Sequence, residues 1–354
     1  MTELIHGGDW AGYELEYGKA PLDFSASISP LGLPESVRKA VLDALEHADR
    51  YPDPQCRALR QALSEFHDVE CRRIVCGSGA SDLIDRICRT LRPRHAAVFV
   101  PGFSEYERGL LAEGCEVTFI HLPESENFRI TQDMLKQIPQ NCELLFLCNP
   151  NNPTGVLTEA DLLHQILICC RETKMHLVVD ECFLDLTSAA DRYSLIGELS
   201  NISELIILKA FTKLYAMAGL RLGYALCGSE ALADRLERCG QPWPVSDLAQ
   251  TAGIAALRET DYTDRVRSLI NEERLRMRVA LEKLGLHIIP GEANYLLFES
   301  GDALLAAKMR ARGILIRDCR SFRGLHEGWY RIAIRTREEN DILLRTLREV
   351  TSNG

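Results

Sequence analysis

Short apolar runs alternate with helix-like segments through the middle of the chain. The runs Ala96–Val100, Leu144–Cys148, Leu177–Val179 and Leu205–Leu208 are each bounded by polar or turn residues, which predicts four buried strands. Between the second and third runs, Glu159–Glu172 has apolar residues at helical spacing. Strands that alternate with helices predict a mostly parallel sheet covered on both faces.

The pattern changes in the last third of the chain. A long amphipathic helix is predicted over Asp264–Leu284, followed by two shorter strand candidates, Tyr295–Phe298 and Tyr330–Ile334. These elements predict a second, smaller unit, and the proline-containing start of the chain is predicted to be an arm that joins it. The predicted fold is α/β, with an N-terminal arm (residues 1–45), a large three-layer domain around a mostly parallel sheet (46–250) and a small C-terminal α/β domain (251–354).

Composition and charge argue against several classes of protein. The 354 residues carry a net charge of −10, which argues against a nucleic-acid-binding surface. The apolar runs are too short to span a bilayer, and Met1–Gly18 has no signal-peptide pattern. Thirteen cysteines without C-x-x-C pairs predict reduced thiols and no metal site. We expect a cytoplasmic protein without membrane or nucleic-acid partners.

Three chemically distinctive side chains follow three successive predicted strands: Asn152, Asp180 and Lys213. Ligands bind at the carboxyl ends of the strands in such sheets. A lysine in an apolar setting loses its proton more readily, which suits condensation with an aldehyde. A carboxylate ending an apolar strand needs a positive partner, and a protonated pyridine nitrogen is one. The amide of Asn152 can donate to a ring oxygen.

Each of these residues also has a plainer interpretation. Lys213 alone is typical of a surface lysine, Asp180 of a cap on the following segment, and Asn149–Gly155 of a tight turn. Their order along the chain, each at the end of a strand, favours a shared site.

A phosphate site is predicted where small residues precede a helix. Gly77–Asp82 comes before the helical stretch Leu83–Leu91, and a helix N-terminus presents backbone N–H groups to an anion. The segment is not G-x-G-x-x-G, so dinucleotide binding is weakly supported. A simple helix cap is the alternative for Ser81. Thr212 and Arg221 can supply a hydroxyl and a guanidinium to the same phosphate.

Taken together, these motifs resemble the class I/II aminotransferase family of fold-type I pyridoxal 5′-phosphate (PLP) enzymes. The resemblance covers nearly the whole chain. Within the family the chain is most similar to the threonine-phosphate decarboxylases of cobalamin synthesis, with the histidinol-phosphate aminotransferases as sister group. The decarboxylase-like segments are His6–Gly8, Asp23–Ala26 with Pro30–Gly32, Pro101–Tyr106, and Ile316–Cys319 with Phe322–Leu325.

The resemblance implies a role for each matching residue. It implies that Lys213 binds PLP covalently, that Asp180 pairs with the pyridinium, and that Asn152 holds the ring oxygen. It further implies that Phe103 stacks on the ring, that Gly79, Ala80, Ser81, Thr212 and Arg221 bind the phosphate, and that Tyr51 reaches the cofactor phosphate of a partner subunit in a homodimer. Substrate contacts are implied for Arg331 (carboxylate), Arg317 (phosphate), Ser27 and His6, although an N-terminal histidine is more often simply solvated.

The sequence departs from the family pattern at four positions. Ala210 replaces a usual serine, so one phosphate hydroxyl is missing, and Phe183 replaces a tyrosine common in aminotransferases. Ser27 and Ser29 stand where the decarboxylases have asparagine, which puts substrate contacts in question.

Three functions compete at this point. The first hypothesis is a decarboxylase of O-phosphothreonine or a close phospho-amino acid, and the second is an aminotransferase of the histidinol-phosphate type. The third is a PLP-fold binding or regulatory protein without activity, which the intact Lys213, Asp180 and Asn152 disfavour.

Overall fold

The computed structural model describes residues 6–352. The strands are β1 (Leu22–Asp23), β2 (Ile74–Gly77), β3 (His95–Val100), β4 (Glu116–His121), β5 (Leu144–Cys148), β6 (His176–Asp180), β7 (Leu205–Ala210), β8 (Gly223–Cys227), β9 (His287–Ile288), β10 (Tyr295–Glu299), β11 (Ile314–Leu315), β12 (Arg317–Asp318) and β13 (Trp329–Ala333).

Helices separate most of these strands. They are α1 (Trp10–Tyr17), α2 (Glu35–Ala44), α3 (Arg57–His67), α4 (Ala80–Leu91), α5 (Ser104–Ala112), α6 (Gln132–Leu135), α7 (Ala160–Thr173), α8 (Ala190–Tyr193), α9 (Phe211–Leu214), α10 (Glu230–Cys239), α11 (Asp247–Ala256), α12 (Thr260–Glu282), α13 (Leu305–Ala311) and α14 (Arg337–Ser352). Over residues 6–352, no helix combines the length and apolar character needed to cross a membrane.

Seven strands form the large sheet, in the order β2-β8-β7-β6-β5-β3-β4. The neighbours from β7 to β4 are parallel, whereas β8 runs antiparallel to both β7 and β2. Successive residues of the central strands fall alternately into two hydrophobic clusters: Leu177 and Val179 belong to one, and Val178 to the other. Both faces are therefore covered, which confirms the predicted three-layer arrangement.

A smaller antiparallel sheet, in the order β12-β13-β10-β9, is built from the last third of the chain. Alternation along β10 explains its position. Tyr295 and Leu297 join the same core cluster as one face of the large sheet, while Leu296 and Phe298 pack in a separate cluster with α12, α13 and α14. The small sheet thus has one face against the large sheet's core.

The N-terminal segment reaches the small domain through strand pairing. Leu22 and Asp23 of β1 pair in parallel with Ile314 and Leu315 of β11. This contact supports the predicted attachment of the arm (residues 1–45) to the C-terminal domain (251–354); residues 1–5 of that arm lie outside the described range.

The predicted elements are confirmed with boundary shifts of a few residues. The last strand runs Trp329–Ala333 rather than Tyr330–Ile334, and α12 begins four residues earlier than predicted. Helix α4 begins at Ala80, not Leu83, so Ala80 and Ser81 belong to its first turn and Gly79 precedes it. The pattern of hydrophobic and polar residues gave no indication of β2, β4 or β8. The thirteen cysteines, which all lie between residues 56 and 319, are not paired with one another.

Candidate active site

The carboxyl ends of β5, β6 and β7 open onto a cavity of about 350 Å³. These strands are neighbours in the sheet, and Cys148, Asp180 and Leu208 lie in adjacent register. The predicted site residues that line the cavity are His6, Ser27, Ala80, Ser81, Phe103, Asn152, Asp180, Thr212, Lys213, Arg221 and Arg331.

Two lysines stand near the end of β7, and their environments differ. Lys209 is buried and its Nζ lies 2.7 Å from Asp185 Oδ1 and 3.2 Å from Glu181 Oε2. Although burial alone would lower it, Asp185 and Glu181 raise the pKa of Lys209 above its ordinary value. Burial, together with the nearby Arg331, instead lowers the pKa of Lys213 to about 8. Lys213 is therefore the amine that can lose its proton near neutral pH.

Asp180, the last residue of β6, is a buried carboxylate with two fixed donors. Its Oδ1 accepts the backbone N–H of Cys182 at 3.0 Å, and its Oδ2 accepts the hydroxyl of Tyr106 at 2.6 Å. Burial and the adjacent Asp180 raise the pKa of Tyr106 well above its ordinary range, so the phenol stays a donor. These bonds orient the carboxylate at the cavity wall, where a cationic ring nitrogen would meet it.

Asn152 is held by its loop and by an arginine from the small sheet. The side chain of Asn151 anchors the loop by donating to the carbonyl of Pro101 at 3.0 Å, and the carbonyl of Asn151 accepts from Tyr295 Oη at 2.9 Å. Arg331 Nη1 donates to Asn152 Oδ1. Because the oxygen of Asn152 is engaged, its amide nitrogen is the end that can donate to a ligand.

The far end of the cavity is suited to an anion. Ala80 and Ser81 begin α4, a twelve-residue helix, whose first N–H groups have no helical acceptor. Pairing of β2 with β8 brings Arg221 beside this turn. A Cβ on Gly79, which has φ +87°, would lie 2.5 Å from Arg221 Nη2, so glycine is needed there. Thr212 also lines this cavity.

The two serines that depart from the family pattern have different surroundings. Ser29 Oγ lies 2.7 Å from Tyr262 Oη, and its backbone N–H donates to the carbonyl of Lys213 at 2.8 Å. Ser27 lines the cavity, and its buried Oγ has no hydrogen-bond partner within residues 6–352. A buried hydroxyl without a partner is costly, so Ser27 is the serine suited to contact a substrate.

A second cavity, of about 430 Å³, is lined in part by Lys209, and Ala210 lines both cavities. It also contains His67, whose pKa burial and Lys209 lower to about 4. Its lysine is already ion-paired, so this larger cavity does not supply a reactive amine.

The profile of the family described as aminotransferase class I and II matches residues 19–347. The chain belongs to this family. It is 38% identical to the threonine-phosphate decarboxylase of Salmonella typhimurium strain LT2, over 99% of this chain and 97% of the relative. It is 31% identical to histidinol-phosphate aminotransferase 2 of Archaeoglobus fulgidus, over 94% of each.

The fold is likewise that of solved class I and II aminotransferases. The structure of histidinol-phosphate aminotransferase from Sinorhizobium meliloti in complex with pyridoxal-5′-phosphate superposes with a TM-score of 0.88 and 24% identity, covering 100% of this chain and 98% of that chain. The resemblance of the sequence to this family, and the fold it implies, are confirmed.

Three residues matched to the family's pattern lie outside the cavity lining. Gly79 stands behind Arg221. Arg317 is paired across the small sheet with Arg331, so the two arginines are neighbours, and Arg317 Nη2 donates to Ser321 Oγ at 3.1 Å. Tyr51 is 80% exposed and is not part of its own chain's cavity.

The sequence analysis missed residues that support the site from behind. Tyr106 holds Asp180, and Ser25 accepts from Arg331 Nη2 through its carbonyl at 3.2 Å. Ser25 in turn donates through both N–H and Oγ to Asp23 Oδ1, at 2.7 and 2.6 Å. Tyr106 follows Phe103 by about one helical turn, so the two side chains lie on the same face. This spacing was the signal in the sequence that could have pointed to Tyr106. Nothing in the sequence indicated that the carbonyl of Ser25 would contact Arg331.

Proposed function

We propose that this chain is a PLP-dependent decarboxylase of a phosphorylated amino acid, either L-threonine O-3-phosphate or a close analogue. The similarity to the Salmonella typhimurium decarboxylase, which extends over 99% of the chain, carries this proposal. The geometry agrees with it, because Arg331 lines the cavity and a second buried guanidinium, Arg317, lies directly beside it in the small sheet. Two such groups suit a substrate with two anionic groups.

The residues of the cavity fit PLP. The first turn of α4, with Arg221, Ser81 and Thr212, would hold its phosphate, and Asp180 would face the ring nitrogen. Lys213 would bind its aldehyde carbon, and Phe103 would cover one face of the ring. When bound, PLP supplies an electron sink for the pair of electrons released at the substrate's α-carbon. The complex in the Sinorhizobium meliloti structure supports this choice of cofactor.

The residues around the substrate would determine which bond at its α-carbon breaks. Arg331 is fixed by Asn152 and by the carbonyl of Ser25, and its Nε is buried without a partner in the described residues. It can therefore bind a substrate carboxylate in one orientation. The orientation in which Arg331 holds that carboxylate would therefore decide between loss of CO₂ and loss of a proton at the α-carbon.

An aminotransferase of the histidinol-phosphate type is the alternative, because such enzymes are also close relatives. The two reactions differ in their need for a second substrate. We expect multiple turnovers of CO₂ from phosphothreonine or phosphoserine without any 2-oxo acid. Isotopic CO₂ release and product identification measure this. If neither compound releases CO₂, and histidinol phosphate reacts only when 2-oxoglutarate is added, the aminotransferase assignment is correct instead.

The proposal includes a homodimer with shared sites. Tyr51 stacks on Trp243 with ring centroids 4.4 Å apart, and the side chains are 80% and 45% exposed. Exposed aromatic pairs are typical of protein–protein contacts. A second copy of the chain would bury this aromatic pair. Its phosphate site would receive the Tyr51 hydroxyl, and Ala210 supplies no hydroxyl to that site.

Mixing two inactive variants tests the shared site. Tyr51→Ala and Lys213→Ala homodimers are each expected to be impaired. After subunit exchange, about one quarter of the wild-type activity should return, since half of randomly paired dimers are hybrids with one complete site. Native mass spectrometry verifies the exchange. Hybrids that form without recovering activity would show that each site is complete within one chain.

A further inference from the structure

The first described residues of the N-terminal arm, His6 and Gly7, line the cavity, and this part of the chain is held by contacts in two directions. On one side the backbone docks on Ser25: Gly8 N–H donates to Ser25 Oγ at 2.8 Å, and a Cβ on Gly7 would lie 2.4 Å from the Ser25 carbonyl. On the other side His6 Nε2 lies 3.0 Å from Glu105 Oε1. His6 and Gly7 both line the cavity.

Glu105 is a nearly buried carboxylate that contacts a much more exposed histidine. Its side chain is only 8% exposed, whereas that of His6 is 52% exposed. The hydrogen bond from His6, followed by that from Arg108, lowers the pKa of Glu105 below its ordinary value. The ionised carboxylate can only accept, so His6 Nε2 must carry the proton in this contact.

Arg108 does not by itself account for the buried carboxylate. Its Nε donates to Glu105 Oε2 at 2.6 Å, while its Nη2 donates to Asp85 Oδ1 at 3.0 Å. Because Arg108 is half exposed and already has an acidic partner, it does not need Glu105 for neutralisation. The second oxygen of Glu105 is left to the histidine, a side chain that both lines the cavity and contacts α5.

We propose that Glu105 is a positioning residue that holds His6, and with it the N-terminal arm, over the cavity so that the imidazole meets the anionic end of the substrate. This inference rests on the proposed function, because it assumes a substrate with a phosphate or similar anion beyond the α-carboxylate. Without Glu105, the exposed histidine would be free to turn into solvent. The contacts on Ser25 would then be what holds residues 6–8, while α1 would stay anchored through Trp10 to Asp23 and through Glu16 to Arg310.

Steady-state kinetics of the cofactor-loaded enzyme test this role. Glu105→Gln keeps the shape of the side chain and removes its charge. We expect KM for the phospho-amino acid to rise on the order of tenfold, the size expected for one charge-assisted hydrogen bond, with kcat nearly unchanged. His6→Ala should have a similar effect. The double variant should be no worse than His6→Ala alone, because Glu105 acts through His6.

A readout independent of turnover follows the arm itself. Hydrogen exchange of the amides of residues 6–8, which precede α1, should be faster in Glu105→Gln than in the wild type. Glu113→Gln is the matched control, since it removes a 3.8 Å ion pair with Arg92 at the other end of α5 and should change neither exchange nor KM. Unchanged arm exchange in Glu105→Gln, or additive kinetic effects of the two substitutions, would overturn the proposal. Faster exchange in a protein that accepts no phospho-amino acid would instead reject the proposed function and leave the arm contact standing.

Discussion

Lys213→Ala is expected to abolish turnover, with a loss of at least about 10³-fold, the order of a positioned acid–base group. Lys213 is the amine of the cavity whose pKa is lowered, to about 8, by burial and by Arg331. It would both attach the cofactor and move a proton at the substrate's α-carbon. The variant should also lose the covalent cofactor adduct that borohydride traps in the wild type, as peptide mass spectrometry would show.

Lys209→Arg is the control for this prediction. Arginine keeps the positive charge between Asp185 and Glu181 but offers no condensing amine. Most of the activity should remain. A borohydride adduct on Lys209 in the wild type would show that the wrong lysine has been assigned.

The same pKa sets a pH dependence for cofactor uptake. Below pH 8 the neutral fraction of Lys213 falls about tenfold per pH unit. The rate at which apoprotein takes up PLP should therefore rise from pH 6 to about 8 and then level off. Stopped-flow absorbance measures this rate. A flat profile across that range would mean that deprotonation of Lys213 does not limit capture.

Asp180→Asn is expected to lower kcat roughly 10²- to 10³-fold, the order found when one preorganised electrostatic contact is removed. The carboxylate is buried and accepts from Tyr106 and from the Cys182 backbone. An amide can keep one of these bonds but supplies no charge to a ring nitrogen, so the cofactor would be a weaker electron sink. Cofactor content, measured by absorbance after alkaline release, should fall less than kcat.

Tyr106→Phe separates the charge of Asp180 from its orientation. It removes the 2.6 Å hydrogen bond and leaves the carboxylate group itself in place, so a loss of tenfold or less is expected. If Asp180→Asn turns over at close to the wild-type rate, the partner of the ring nitrogen lies elsewhere.

The sequence by itself determined the central part of the site. Apolar runs of strand length are readable because a strand buried on both faces must be apolar throughout. The polar residue after each run then falls at one edge of the sheet, which is why Asn152, Asp180 and Lys213 could be grouped in advance. The start of α4, where we propose that an anion binds, was readable for a similar reason, because its small residues are contiguous with the helix.

The short strands β2 and β8 could not be predicted because their pairing is non-local. Residues 74–77 and 223–227 are far apart in the chain, and their few residues carry no distinctive period. Only the fold showed that this pairing brings Arg221 to Gly79 and the start of α4.

Only the tertiary structure decided which side chains can react and which merely lie close to the cavity. Lys209 and Lys213 are four residues apart, yet Asp185 and Glu181 reach only the first. In the same way, Ser29 contacts Tyr262 while Ser27 faces the cavity, and Glu105 meets His6 across 99 residues of sequence. Burial, charge pairing and hydrogen bonding depend on distances between side chains from different segments. Local sequence fixes which chemical groups are available, and the fold fixes which of them are desolvated, paired or left to bind a ligand.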